Sequence, residues 1–184
     1  MKKFVRFMSA AMSAALVLTA MAGCGGSKDS GGSSDGKIKI GGIGPITGAA
    51  AIYGQAVKNA AEIAVEEINA KGEDVQFELQ FEDDENDAEK SVNAYNKLKD
   101  WGMQVLVGPT TTGASMAVAD VCNSERTFMI TPSASAVDVT AGKDNVFQVC
   151  FTDPGQGSTA ADYVADQGLA QKVAVLYNNG DAYS

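Results

Sequence analysis

The chain has 184 residues, 45 % hydrophobic and 20 % charged, with 14 Lys and Arg against 23 Asp and Glu and a formal charge of −9. It contains no histidine, which removes the commonest general base, the commonest zinc ligand and every Ser-His or Cys-His nucleophile pair. The acidic balance also argues against a nucleic-acid partner, because a phosphate backbone is engaged chiefly through Lys and Arg.

Lys2, Lys3 and Arg6 precede an apolar stretch over residues 7–22 that is too short and too rich in Ala and Ser for a convincing membrane span. Residues 1–23 are therefore expected to be an export signal. Met21-Ala22-Gly23-Cys24 resembles a lipobox, with Met21 where Leu is usual; on that basis Cys24 is the lipidation site. Ala20-Met21-Ala22 offers a competing site, with ordinary cleavage before Gly23. Of the twelve residues 25–36, five are Gly and four are Ser. Such a composition cannot bury apolar surface and suits a tether over residues 24–36 behind a lipid anchor. The remainder is expected outside the cytoplasm. If Cys24 is acylated, Cys122 and Cys150 are the thiols left, and either a disulfide or two separately buried thiols would fit.

From residue 37 onward, strand and helix patterns alternate. Residues 37–43 carry Ile38, Ile40 and Ile43 and read as a strand that Gly44 and Pro45 stop. A helix is expected over 54–70, with Val57, Ala61, Ala64 and Ile68 on its inner face. Residues 75–81 alternate again. Asp87 is an expected N-cap for a helix that turns Ala88, Val92, Tyr95 and Leu98 inward and ends at Gly102. The pattern then predicts a strand at 105–108, a helix at 113–124, strands at 128–131 and 146–151, a helix at 157–167 and a strand at 173–177. This alternation implies βαβ units and a parallel sheet, an α/β fold whose ligands sit at the carboxyl ends of strands.

Those strand ends carry hydroxyls and small residues: Gly44-Pro45-Ile46-Thr47-Gly48, then Gly108-Pro109-Thr110-Thr111-Thr112-Gly113, then Thr131-Pro132-Ser133-Ala134-Ser135. A dinucleotide loop is disfavoured, because the third glycine expected after Gly42 and Gly44 would fall at Thr47 and Pro45 removes a donor. There is no P-loop sequence, and Ser115 lacks the flanking glycines of a nucleophile elbow. The run Glu82-Asp83-Asp84-Glu85-Asn86-Asp87 lacks the alternating ligands of a calcium loop and reads as a solvated strand-to-helix turn. Thr110–Gly113, by contrast, pairs hydroxyls with a helix N-terminus, a place that favours a carboxylate. With Ser133 and Ser135 at the neighbouring strand end, it suits the head group of a zwitterion. No metal site or cofactor is expected.

The order GPITG, Tyr53-Gly54, EINAKG, EDDEND, VGPTTTG, ITPSAS and FQVCFTDPGQG resembles the substrate-binding lipoproteins of branched-chain amino-acid ABC transporters, from Lys37 to Ser184. The resemblance implies a type I periplasmic-binding-protein fold with Rossmann-like parallel-sheet lobes, truncated here after the start of the second. Residues 37–152 would form a partial first lobe and residues 153–184 the start of the second. It also implies that Thr112 holds the ligand's α-carboxylate and that Ser133 and Ser135 take the head group. Tyr53 would lie along the ligand side chain, and Tyr183 would face the cleft from the second lobe. Some members have a disulfide at positions matched here by Asn86 and Thr111, so that bridge cannot form.

The expected function is capture of an amino acid, aliphatic by the resemblance, and its delivery to a membrane permease and ATPase. The alternatives are the same fold taking an amide, urea or another small polar solute, and, from a different class, an exported α/β enzyme using Asp83 as base.

Overall fold

The computed structural model describes residues 36–181 and 183; the expected signal, Cys24 and all but the last residue of the expected tether lie outside them. Five strands form one parallel sheet: β1 (Lys37–Gly44), β2 (Gln76–Asp83), β3 (Val105–Val107), β4 (Phe128–Thr131) and β5 (Val146–Gln148), in the order β2-β1-β3-β4-β5. The intervening helices are α1 (Ala51–Ala70), α2 (Ala88–Trp101) and α3 (Thr112–Glu125), and α4 (Asp153–Asp166) follows β5. The chain steps from β1 outward to β2, then returns past β1 to β3. The strand order therefore reverses between β1 and β3, the point at which open α/β sheets take ligands.

Register decides which side chains share a face. Ile40 is opposite Val105 and Val105 opposite Phe128; Leu106 is opposite Met129 and Met129 opposite Val146. The second set, with Ile43, forms the core against Tyr95 and Leu98 of α2 and Val118 and Cys122 of α3. Gly41 lies beneath α2, where a Cβ would strike Leu98 and Met103. The opposite face is covered by α1 over β1 and β2. Towards the β5 edge it presents Phe128 stacked on Phe147, ring centroids 5.3 Å apart, at 42 % and 46 % exposure.

Local chemistry accounts for the best-defined ends. Asp87 is extended and accepts from the Lys90 N–H at 2.8 Å, while Gly102 closes α2 in the left-handed region at φ 91°. Ser91 and Ala94 are buried with Tyr95 and Leu98, whereas Ala88 is exposed. In α1 the expected inner residues Ala64 and Ile68 are exposed, whereas Val57, Ala61, Val65 and Asn69 are half-buried. The polar member of that row is Asn69, whose side-chain amide pairs with both the N–H and the carbonyl of Phe77, each at 2.8 Å. That strand-like pairing fastens the end of α1 to β2 along the row of residues 57, 61, 65 and 69, each four apart.

Beyond β5 the expectations hold less well. The strand ends at Gln148, and α4 starts at Asp153, four residues before the helix read from composition, because Thr152 accepts from the Gly155 N–H at 3.4 Å and Pro154 suits a first turn. α4 has no buried residue. No strand forms at 173–177, whose side chains are exposed. Cys122 and Cys150 are free thiols. Burial pushes Cys122 up to about 12, with Glu125 adding to the effect, and Cys150 donates to the Ala134 carbonyl at 3.2 Å. No described helix is long and apolar enough to cross a membrane.

Candidate binding cleft

The carboxyl ends of β1, β3 and β4 open into one cleft of about 890 Å³, within the range of small-molecule sites. The β3 loop that leads into it begins at Gly108, at φ 105° and with its N–H donating to the Ile130 carbonyl at 2.8 Å. A Cβ at Gly108 would collide with the Ile43 carbonyl, so β3 approaches β1 closely only with glycine there. The peptide from Gly108 to Pro109 is cis. The Pro109 carbonyl accepts from Ser115 Oγ at 2.8 Å and from Thr131 Oγ1 at 2.7 Å. Thr131 Oγ1 in turn accepts from the Ala134 N–H at 3.1 Å. Thr131 thus ties the β4 loop to the β3 loop and draws the two hydroxyl clusters together.

α3 starts at this junction. Thr111 is its N-cap by backbone conformation but provides no side-chain cap, and the first turn carries no acid. Its N–H groups are left for another acceptor. Thr112, 4 % exposed, accepts a long 3.4 Å bond from the Ser135 N–H. The hydroxyls of Thr110, Thr111 and Ser135 are buried without a partner, an arrangement that costs free energy until something pairs with them. The Ser135 carbonyl accepts from the Asp153 N–H at 3.0 Å, which ties the start of α4 to the cleft.

All five residues singled out in the sequence line this cleft: Thr112 and Ser135 buried at its floor, Ser133 exposed at the β4 loop, Tyr53 and Tyr183 at 62 % and 52 % exposure on its walls. The structure adds Cys150 and Phe151 from the segment after β5, and Asn178 and Asp181 beside Tyr183. From the sequence Thr131 was one hydroxyl of a strand end and Ser115 a serine without the setting of a nucleophile; neither pointed to the Pro109 carbonyl, although a threonine ending a strand immediately before proline marks the place.

The acidic run is not simply solvated. Asp84 is fully buried, accepting from the Asn86 N–H at 2.9 Å and from Ser91 Oγ at 3.2 Å. Burial raises its carboxyl, more than these bonds lower it, and the charge of Asp83 adds to the rise. Burial alone would raise Asp83 too, but bonds from Thr47 and from the backbone of Glu85 and Ile46 outweigh it and hold the group below its usual value. A carboxylate so stabilised is a poor general base. Among the described residues no cluster of Cys, Asp and Glu could hold a metal ion.

A family model described as "Periplasmic binding protein" matches residues 37–184. The chain belongs to the periplasmic binding protein family. The Leu/Ile/Val-binding protein homolog 3 of Brucella melitensis is 41 % identical over 148 residues, covering 78 % of this chain and 40 % of the relative. The branched-chain amino acid transporter substrate binding protein LivJ of Streptococcus pneumoniae, solved in complex with isoleucine, superposes with a TM-score of 0.75 at 31 % identity, over 80 % of this chain and 43 % of that one. The leucine binding protein LivK of Thermotoga maritima gives 0.73 at 30 % identity, over 80 % and 42 %. The chain thus spans about two fifths of the length of the relatives it matches. These likenesses bear out the type I periplasmic-binding-protein fold and the resemblance on which it rested.

Proposed function

We propose that this chain is the ligand-binding part of the extracytoplasmic substrate-binding component of an ABC importer. It captures a branched-chain or other aliphatic amino acid without transforming it and delivers it to a permease and ATPase in the membrane. The observation that carries this is the uncapped N-terminus of α3 meeting the buried hydroxyls of Thr112 and Ser135 at the sheet's reversal point. Neutral donors gathered at a helix N-terminus suit an α-carboxylate. The family membership, the names of the relatives and the isoleucine in the LivJ structure support the same assignment.

Thr112 would hold the carboxylate, Ser133 and Ser135 the rest of the head group, and Tyr53 and Tyr183 the flanks of the side chain. Residues 37–152 would form the first lobe and 153–184 the start of the second, so that closure of the lobes buries the ligand. Residues 1–23 would direct export, Cys24 would carry the lipid anchor, and residues 24–36 would be the tether. In the full-length protein, Thr112→Val should weaken leucine binding by about 1–3 kcal/mol through an unpaired carboxylate. Unchanged calorimetric affinity would remove Thr112 from the site, and leucine chemically altered on incubation would exclude a purely binding role.

A further inference from the structure

The loop between β1 and α1 leads directly to Tyr53, yet α1 has no side-chain cap and no acid in its first turn to fix where it begins. The fastening comes from another strand. Asp83, at the end of β2, accepts from the Ile46 N–H at 2.9 Å with one oxygen and from the Thr47 hydroxyl at 2.5 Å with the other. The first oxygen also accepts from the Glu85 N–H at 2.9 Å, which stops the carboxylate from rotating away. On the helix side, Gln55 Nε2 donates to the Ile46 carbonyl at 3.0 Å. Gly54 packs so closely on the Pro45 carbonyl that a Cβ would collide with it. Any movement of residues 45–47 is therefore passed to the first turn of α1, and with it to Tyr53.

We propose that Asp83 is a positioning residue for ligand recognition: it clasps Ile46 and Thr47 to the end of β2 and so fixes Tyr53 at the cleft wall. This rests on the amino-acid site proposed above. Rigid placement matters because an aromatic wall contributes to binding only if its position is set before the ligand arrives. Asp83 touches no ligand and acts wholly through the loop.

A double-mutant cycle in the full-length protein tests it, with L-leucine titrated calorimetrically. Asp83→Ala should weaken leucine binding by about fivefold in the wild-type background but by less than about twofold in the Tyr53→Ala background. Asp83→Asn, which keeps an acceptor for the two backbone N–H groups, should recover part of the loss. Equal losses in both backgrounds, or no loss, would overturn the proposal, since a carboxylate that merely supports the fold gives additive effects. If Asp83→Ala does not fold, Thr47→Val takes its place in the cycle, with a smaller loss and the same non-additivity expected. Additive losses while Thr112→Val still weakens binding would reject the role of Asp83 alone. A wild-type protein that binds none of leucine, isoleucine and valine would reject the functional assignment and this role with it.

Discussion

Val105–Val107 and residues 173–177 are chemically alike, short apolar runs led by β-branched residues. The first is a central strand, paired with β1 on one side and β4 on the other, and its middle residue Leu106 is fully buried. The second forms no ladder, and Leu176 is 99 % exposed. The difference lies in their neighbours. A strand's backbone N–H and carbonyl groups need partners on adjacent strands, and its side chains need a helix to pack against. Residues 37–131 provide both for β3, whereas α4, the helix preceding 173–177, has no buried residue.

The largest expected effect follows from this contrast. In the 184-residue chain, Leu106→Ala should cost about 2–5 kcal/mol by urea denaturation, and Leu176→Ala less than about 0.5 kcal/mol. A comparable loss at Leu176 in any longer form of the protein would mean that the second run finds its sheet there. That result would sharpen the point that the partner, not the run, makes the strand. A smaller effect separates the two faces of the paired region. Phe147→Ala removes one ring of a half-exposed stack and should cost about 1 kcal/mol. A loss as large as that at Leu106 would show the open face to be as tightly packed as the covered one.

The smallest effect concerns the end of β2, where neighbouring acids are held oppositely. Burial raises the Asp84 carboxyl, so its contribution is most favourable below the usual 3.8 and is lost as pH rises through the raised value. Asp83 is lowered, so its contribution is present above 3.8 and lost as pH falls through the lowered value. Asp84→Asn should therefore change stability by less than about 1 kcal/mol. Relative to wild type, the variant should fare better near pH 7 than near pH 3. A variant that fares worse at the higher pH would reverse the assignment.

Several elements were legible because their signals are local. Asp87 and Gly102 bracket α2 by capping chemistry that involves only residues a few positions apart. The hydroxyl clusters at 110–113 and 131–135 could be placed at strand ends by counting elements. The inner face of α1 was legible only as far as Ala61, because beyond it the inward row runs through a polar residue, Asn69, whose partner Phe77 lies on a separate strand. Asp83 could be read from the sequence only as part of a solvated acidic turn or as a base for the enzyme alternative, since its partners Ile46 and Thr47 lie 37 and 36 residues away.

By itself the sequence determined the α/β class, the parallel alternation and the neutral, hydroxyl-bearing chemistry at the strand ends. These follow from hydrophobic period, turn residues and composition, which a linear chain displays. Only the tertiary structure decided that Thr131 would bind the Pro109 carbonyl and unite two loops into one cleft, that Asp83 would clasp the loop before Tyr53, and that 105–107 but not 173–177 would become a strand. Each of these depends on a hydrogen-bond partner or a covering side chain distant in sequence, and such partners exist only once the chain has folded.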